Sequence, residues 1–180
     1  MRYRRARVAG GSYFFTVVTY KRCQLFVDEP SVSILRDAFR SVMGKRYFVI
    51  DAAIVLPDHI HCVWTLPAGD ADFATRWRLI KSFVTKRLSG CAATRPIRTT
   101  GNNKNSRSVW QHRYWEHLMR DESDYRAHID YIHYNPVKHG YVSRPVDWPY
   151  SSIHRYVADG QMPGDWGANG LDLQENTGRE

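Results

Sequence analysis

His59 and His61 stand one residue apart in the run Leu56-Pro57-Asp58-His59-Ile60-His61-Cys62-Val63-Trp64-Thr65-Leu66. Imidazole is the commonest protein ligand for divalent metals, so two at a fixed spacing raise metal chemistry first. Residues 47–66 are dominated by Val, Ile, Phe, Ala and Leu and break at Pro57-Asp58, the pattern of two strands joined by a tight turn. Alternation along the second strand puts His59, His61, Val63 and Thr65 on one face and Ile60, Cys62, Trp64 and Leu66 on the other. Two imidazoles on one face at the start of a strand make a ready pair of ligands. Such pairs also occur without a metal, so a third ligand and a reacting group are needed.

Residues 121–140 offer both. Asp121, Glu122, Ser123 and Asp124 open the segment, and Lys138, His139 and Gly140 close it, which are helix start and stop signals. Pro136 disfavours helical geometry at Asn135, placing that residue in the last regular turn or at a local break. Tyr131 and Asn135, four apart, are neighbours on one helix face, with His128 three before Tyr131 and Tyr134 rotated away. A phenol beside an amide makes sense if Asn135 completes a two-histidine metal site and Tyr131 is a nucleophile aimed at a phosphate. The alternative makes Tyr131 a packed aromatic and Asn135 a helix C-terminal cap.

Taken together, Pro57-Asp58-His59-Ile60-His61 and Asp130-Tyr131-Ile132-His133-Tyr134-Asn135-Pro136-Val137-Lys138-His139-Gly140 resemble the HUH (His-hydrophobic-His) single-tyrosine transposases. More narrowly, they resemble the REP-associated tyrosine transposases of bacteria, which act on repetitive extragenic palindromes. The likeness runs from about Tyr3 to Trp166 and includes Gly10-Gly11-Ser12-Tyr13, Trp64-Thr65-Leu66-Pro67, Trp115-Glu116-His117 and Asp147-Trp148-Pro149-Tyr150. It implies that His59, His61 and Asn135 hold a metal and that Tyr131 attacks DNA. It further implies a 5′-phosphotyrosine link, a free 3′-hydroxyl, and single-stranded DNA with a folded REP-like hairpin as partner, and it favours a monomer. A polar stretch over residues 89–108 is longer than in compact members, and a tail follows Trp166.

Charge agrees with a polyanionic partner. The chain carries 26 Lys and Arg against 18 Asp and Glu, a formal net charge of +8. After Val157 there are five acids and Arg179 alone, so the preceding body holds 25 basic and 13 acidic residues, +12. Lysine and arginine contacts to phosphates release counterions and dominate nonspecific affinity for nucleic acid. Arg2, Arg4, Arg5 and Arg7 form an arm ahead of the first strand; Arg78, Lys81 and Lys138 are further candidates for DNA contact. No run of 18 apolar residues exists, the N-terminus has no secretion-signal core, and three cysteines without Cys-x-x-Cys spacing fit no disulfide framework. A cytoplasmic, nucleoid-associated protein that does not enter a membrane is expected.

The elements needed to position these residues follow from periodicity. Strands are expected at 12–20, on either side of Pro57, and at 109–120; helices at 30–43, 72–88 and from 121 onward; a loop at 94–108. That order fits an α+β, ferredoxin-like or RRM-like antiparallel sheet with packed helices, which the resemblance identifies as the HUH endonuclease fold. Residues 1–157 form one domain, and 158–180 an acidic, flexible tail.

The chemistry expected is metal-dependent cleavage and strand transfer of single-stranded DNA. An unperturbed tyrosine ionises near pH ~10 and needs an activated target or a base. Two imidazoles and an amide suit Mg²⁺ or Mn²⁺ without excluding Zn²⁺. His128 and His133 are candidate bases by proximity. Two other classes compete: a catalytically silent nucleic-acid binder using Tyr13, Phe14 and Phe15 on an RRM-like sheet, and a metal phosphodiesterase in which Asp58 or Asp130 activates water.

Overall fold

A computed structural model describes residues 7–88 and 109–171. Arg2, Arg4 and Arg5 of the basic arm, the loop expected at 94–108 and the last residues of the acidic tail lie outside the described residues.

Among the described residues, alternating apolar residues build four strands: β1 (Ser12–Val18), β2 (Val49–Leu56), β3 (His59–Thr65) and β4 (Trp115–Leu118). They form one antiparallel sheet in the order β2-β3-β1-β4. The helices are α1 (Glu29–Met43), α2 (Phe73–Leu88), α3 (Glu122–Lys138) and α4 (Ile153–Ala158). The α+β antiparallel architecture expected from the sequence is the one observed. Asp28 and Asp121 start α1 and α3 by accepting the amides of Ser31 and Asp124, replacing hydrogen bonds that a first helical turn lacks.

The sheet separates two apolar clusters. On one face Tyr13, Phe15 and Val17 of β1 and Ile60, Cys62 and Trp64 of β3 meet α1 and α2. Trp64 stacks on Trp77 of α2, ring centroids 4.3 Å apart, and Phe15 lies 4.8 Å from Trp64. On the other face Phe14, Ala52, Ile54, Leu56 and Val63 meet Ile129, Tyr131 and Ile132 of α3 and Ile153 of α4. Tyr13, Phe14 and Phe15 are all wholly buried. The stacking platform that an RRM-like binder requires is therefore absent from β1, because helices cover both faces.

Two local expectations are corrected. The strand expected over 109–120 is regular only at residues 115–118. Upstream, Trp110 makes a single bridge to Thr19, and its ring sits 5.8 Å from Phe26, so side-chain anchoring takes the place of a continuous ladder. Helix α3 ends at Lys138 with Pro136 inside it, so Asn135 lies in the last turn, as its place before the proline predicts. Packing also continues past Val157: Met162 is buried in the second cluster, and Trp166 lies 6.3 Å from His133 and 6.5 Å from Tyr134. Two well-spaced apolar residues anchor a stretch whose Gly and Asp content reads as loose chain.

One buried cation ties the first layer together. Arg76 of α2 is 1% exposed; it donates to the Asp70 carboxylate and to the carbonyls of Arg46, Tyr47 and Asp72. These bonds fix the turn before β2 and the start of α2 to each other. Removing one partner of such a network strands the others away from water. Arg76→Met should therefore destabilise the fold by about 3–5 kcal/mol in urea denaturation, whereas the exposed Arg126→Met should change it by less than about 0.5 kcal/mol.

Candidate active site

β3 is central in the sheet, and its alternation decides what each face receives. Ile60, Cys62 and Trp64 fill the α1–α2 cluster, which turns His59 and His61 toward α3. Both imidazoles are buried, 1% and 0% exposed, with ring centroids 4.8 Å apart. Each ring is oriented through Nδ1. His59 Nδ1 lies 2.6 Å from an Asp58 carboxylate oxygen, and Arg22 donates to the other oxygen at 3.1 Å. Burial pushes the Asp58 carboxyl up, but the hydrogen bond and charge of His59 and the Arg22 guanidinium outweigh it and hold it below its ordinary value. An ionised carboxylate only accepts, so His59 carries its proton on Nδ1 and presents Nε2 as the basic nitrogen. His61 Nδ1 pairs with the Thr16 hydroxyl at 2.9 Å, directly across the strand pair.

α3 supplies the opposing wall. Tyr131, 2% exposed, has its ring 5.3 Å from His61 and 5.9 Å from Phe14, both edge-on. Asn135, one turn further along the same face, is completely buried. Lys138 Nζ donates to the Tyr131 hydroxyl at 3.3 Å and stands 4.8 Å over its ring. The structure thus gathers His59, His61 and Tyr131, with Asn135 on the helix face between Tyr131 and the C-terminal turn. Sequence reasoning missed His139: its ring lies 5.2 Å from that of His59. The residue was legible only as part of a helix stop.

The two histidines weighed as bases have other engagements. His133 bonds to the Ser152 hydroxyl at 2.8 Å and packs on Tyr156, so it faces α4. Burial, with the charges of Arg155 and His154, brings its pKa down to about 3. His128 bonds through Nδ1 to the Asp124 carbonyl, 2.8 Å away, and its ring lies 4.7 Å from Phe14 and 4.8 Å from His117. His117, Asp124 and His128 bring possible metal-ligating atoms within 4.8 Å of one another. In this cluster burial raises the Asp124 carboxyl, but hydrogen bonds from His117 and from the Arg120 amide and guanidinium prevail and take it down to about 2. The arrangement also ties β4 to the first turn of α3.

The remaining candidates are dispersed. Asp130 lines a hollow of about 720 Å³ between β2, α3 and α4, together with Asp51, Tyr125 and Tyr156. Burial raises its pKa, with Arg126 opposing. Arg78 and Lys81 belong to α2, across the sheet from Tyr131. Arg78 is exposed; Lys81 donates to the Gln111 carbonyl at 2.9 Å and lies over the rings of Trp110 and Tyr114. Arg7 is exposed at the edge of the described chain.

An antiparallel sheet that turns a His-hydrophobic-His pair toward a helix-borne tyrosine agrees with the resemblance to the HUH single-tyrosine transposases. Comparison with known proteins narrows the class. The chain is 44% identical over 172 residues to a REP-associated tyrosine transposase of Escherichia coli strain K12, covering 95% of this chain and 93% of that protein. A relative from Haemophilus influenzae is 41% identical over 172 residues, with 93% of each chain covered. A solved structure of a REP-associated tyrosine transposase bound to a REP hairpin superposes with a TM-score of 0.83 at 41% identity, over 100% of this chain and 98% of that one. No family model matches. The chain belongs to the REP-associated tyrosine transposases.

The buried His133 gives the fold a pH dependence of known sign. The unfolded chain takes up a proton near pH 6.5, whereas the folded protein resists it until about 3. Stability is therefore full above about 6.5 and declines as pH falls toward 3. Asp124 adds its own loss only lower, between 3.8 and about 2. Urea midpoints at pH 7 and pH 4.5 should differ clearly for the natural chain and less for His133→Gln.

Proposed function

We propose that this protein cleaves and rejoins single-stranded DNA at REP-type hairpins, with Tyr131 as nucleophile and a 5′-phosphotyrosine intermediate. The observation that carries the reading is the edge-to-face succession of rings in the site, His59 to His61 to Tyr131, at 4.8 Å and 5.3 Å between ring centroids. A phenol held edge-on against paired, oriented imidazoles supports a role in phosphate chemistry. The REP hairpin bound by the solved relative supports the choice of substrate.

His59, His61 and Asn135 are the residues to hold a divalent ion, Mg²⁺ or Mn²⁺. The donor set fits: Asp58 and Thr16 take the Nδ1 side of each imidazole, which directs Nε2 to act as ligand. When bound, such an ion polarises a phosphate oxygen and offsets charge that develops during attack. The chain's own residues do the rest. Tyr131 Oη forms a bond to phosphorus, the bond from phosphorus to the 3′-oxygen breaks, and that oxygen takes up a proton as a 3′-hydroxyl. The phenolic proton passes to solvent. The phosphotyrosine ester keeps the energy of the original diester, so a 3′-hydroxyl can displace Tyr131 without ATP.

Attack by water instead of tyrosine is less well supported. Asp58 is committed to His59 and Arg22, and Asp130 lines the hollow beside α4. Arg7 and Arg78, with the arm Arg2, Arg4 and Arg5, are the cations we assign to DNA; Lys138 is engaged with the Tyr131 phenol, and Lys81 holds residues 110–114 in place. A DNA substrate puts the work of the protein at the nucleoid. No helix among the described residues is long and apolar enough to cross a membrane.

A 3′-labelled REP hairpin with unpaired flanks, run on a denaturing gel, tests the reading. The natural chain should give a slow-migrating protein–DNA adduct, and Tyr131→Phe none, with hairpin binding kept. His59→Ala, His61→Ala or EDTA should abolish cleavage; undiminished cleavage in EDTA would remove the metal from the reaction. Labelled fragments without adduct would instead mark a water-using phosphodiesterase.

Asp58→Asn should leave the fold intact but weaken Mn²⁺ binding about 10–100-fold, read by calorimetric titration, because a neutral amide orients and polarises His59 less well.

A further inference from the structure

We propose that Lys138 is a catalytic residue of the strand-transfer reaction: its ammonium holds the charge that develops on the Tyr131 phenol oxygen, both as that oxygen attacks and as it leaves. The inference rests on Tyr131 being the nucleophile.

Lys138 follows Tyr131 by seven residues, two helical turns, so both project from one face of α3. Its Nζ already lies 3.3 Å from Tyr131 Oη and 4.8 Å above the ring. The two contacts act on different parts of the nucleophile. The cation over the ring face steadies the phenol, which Phe14 and His61 confine edge-on from the sheet side. The N–H donated to Oη is aimed at the atom that becomes nucleophile. The phenol is 2% exposed while Lys138 is exposed, so the lysine reaches inward from the rim of the site. A cation in the last turn of a helix is also favoured there by the unpaired carbonyls of the helix end.

The chemistry balances without a further reagent. As Oη bonds to phosphorus its proton goes to solvent, and the bond to the 3′-oxygen breaks to give a 3′-hydroxyl. During that step the ammonium offsets negative charge shared between Oη and the phosphate. Once the ester has formed, Oη is a bridging oxygen and a poor acceptor, and Nζ turns to the adjacent non-bridging oxygens. When a 3′-hydroxyl displaces Tyr131, charge returns to Oη and meets the same ammonium. By microscopic reversibility cleavage and joining pass through the same transition state, so the ammonium that stabilises it speeds both directions.

A residue that only touches DNA would behave differently: its loss would weaken hairpin binding and leave the saturated rate alone. The test uses the full chain, a 3′-labelled REP hairpin and Mn²⁺ in single-turnover conditions. For Lys138→Gln we expect the saturating rate of adduct formation to fall about 10–100-fold, with hairpin affinity within about threefold of the natural chain. Joining of a 3′-hydroxyl strand to the isolated adduct should fall as well, by at least about tenfold. Lys138→Arg should recover most of the rate, since it restores a donor and a charge. An unchanged saturating rate for Lys138→Gln, or a loss overcome by adding DNA, overturns the proposal while Tyr131 keeps its role. Absence of any adduct from the natural chain overturns both.

Discussion

A slip of β3 by one residue would drive His59 and His61 into the aromatic layer beneath α1 and α2 and expose Trp64 to α3. The site exists only because that slip is resisted. Trp64 stacks on Trp77 and touches Phe15 and Phe48, so the register is held by the largest rings in the protein. Both neighbours of β3 add to the restraint. Thr16 of β1 faces His61 across the ladder and bonds its Nδ1, while Ile54 of β2 faces it from the other side. Apolar burial on one face of a strand thus fixes polar chemistry on the other.

The helix that completes the site is placed by a different means. α3 presents Tyr131 and Ile132 to the sheet, yet its apolar surface is modest, and polar bonds at its start and along its length fix its height. At the start Asp124 gathers His117, the Arg120 amide and the Arg120 guanidinium. Midway, His133 grips Ser152 next to α4. A helix held in this way meets the sheet at a defined level, and its tyrosine comes to rest against His61. Buried polar groups here serve positioning, and the pH sensitivity of His133 is a consequence of using one.

Much of this was legible in the sequence. Alternation from Tyr47 to Leu66 gave both strands and the shared face of His59 and His61, because a buried strand leaves little freedom of pattern. Spacing on α3 gave Tyr131 and Asn135 as neighbours. Long-range placement was not legible. Nothing local told that His139 would come back beside His59, that Lys81 would be spent on the Gln111 carbonyl, or that His133 would face α4. The regular span at residues 109–120 was overestimated, since Trp, Tyr and His side chains read as strand formers whether they support a ladder or anchor a loop. Met162 escaped notice, and Trp166 marked only the end of the family likeness, because two apolar residues amid Gly and Asp leave no periodic trace.

The outer edge of β2 ends in an unusual way. Tyr150 accepts the Val55 amide, Ser152 meets Ala53 through both backbone and hydroxyl, and the Arg155 guanidinium caps the carbonyls of Ile50 and Asp51. An open edge strand is a template that any extended peptide can extend. Here the chain has folded its own return segment over that template and sealed the rest with a charged plug. A foreign strand would first have to expel the guanidinium and strip two serine contacts. At this edge sheet growth, the easiest route by which such a fold goes astray, is closed from within the same chain.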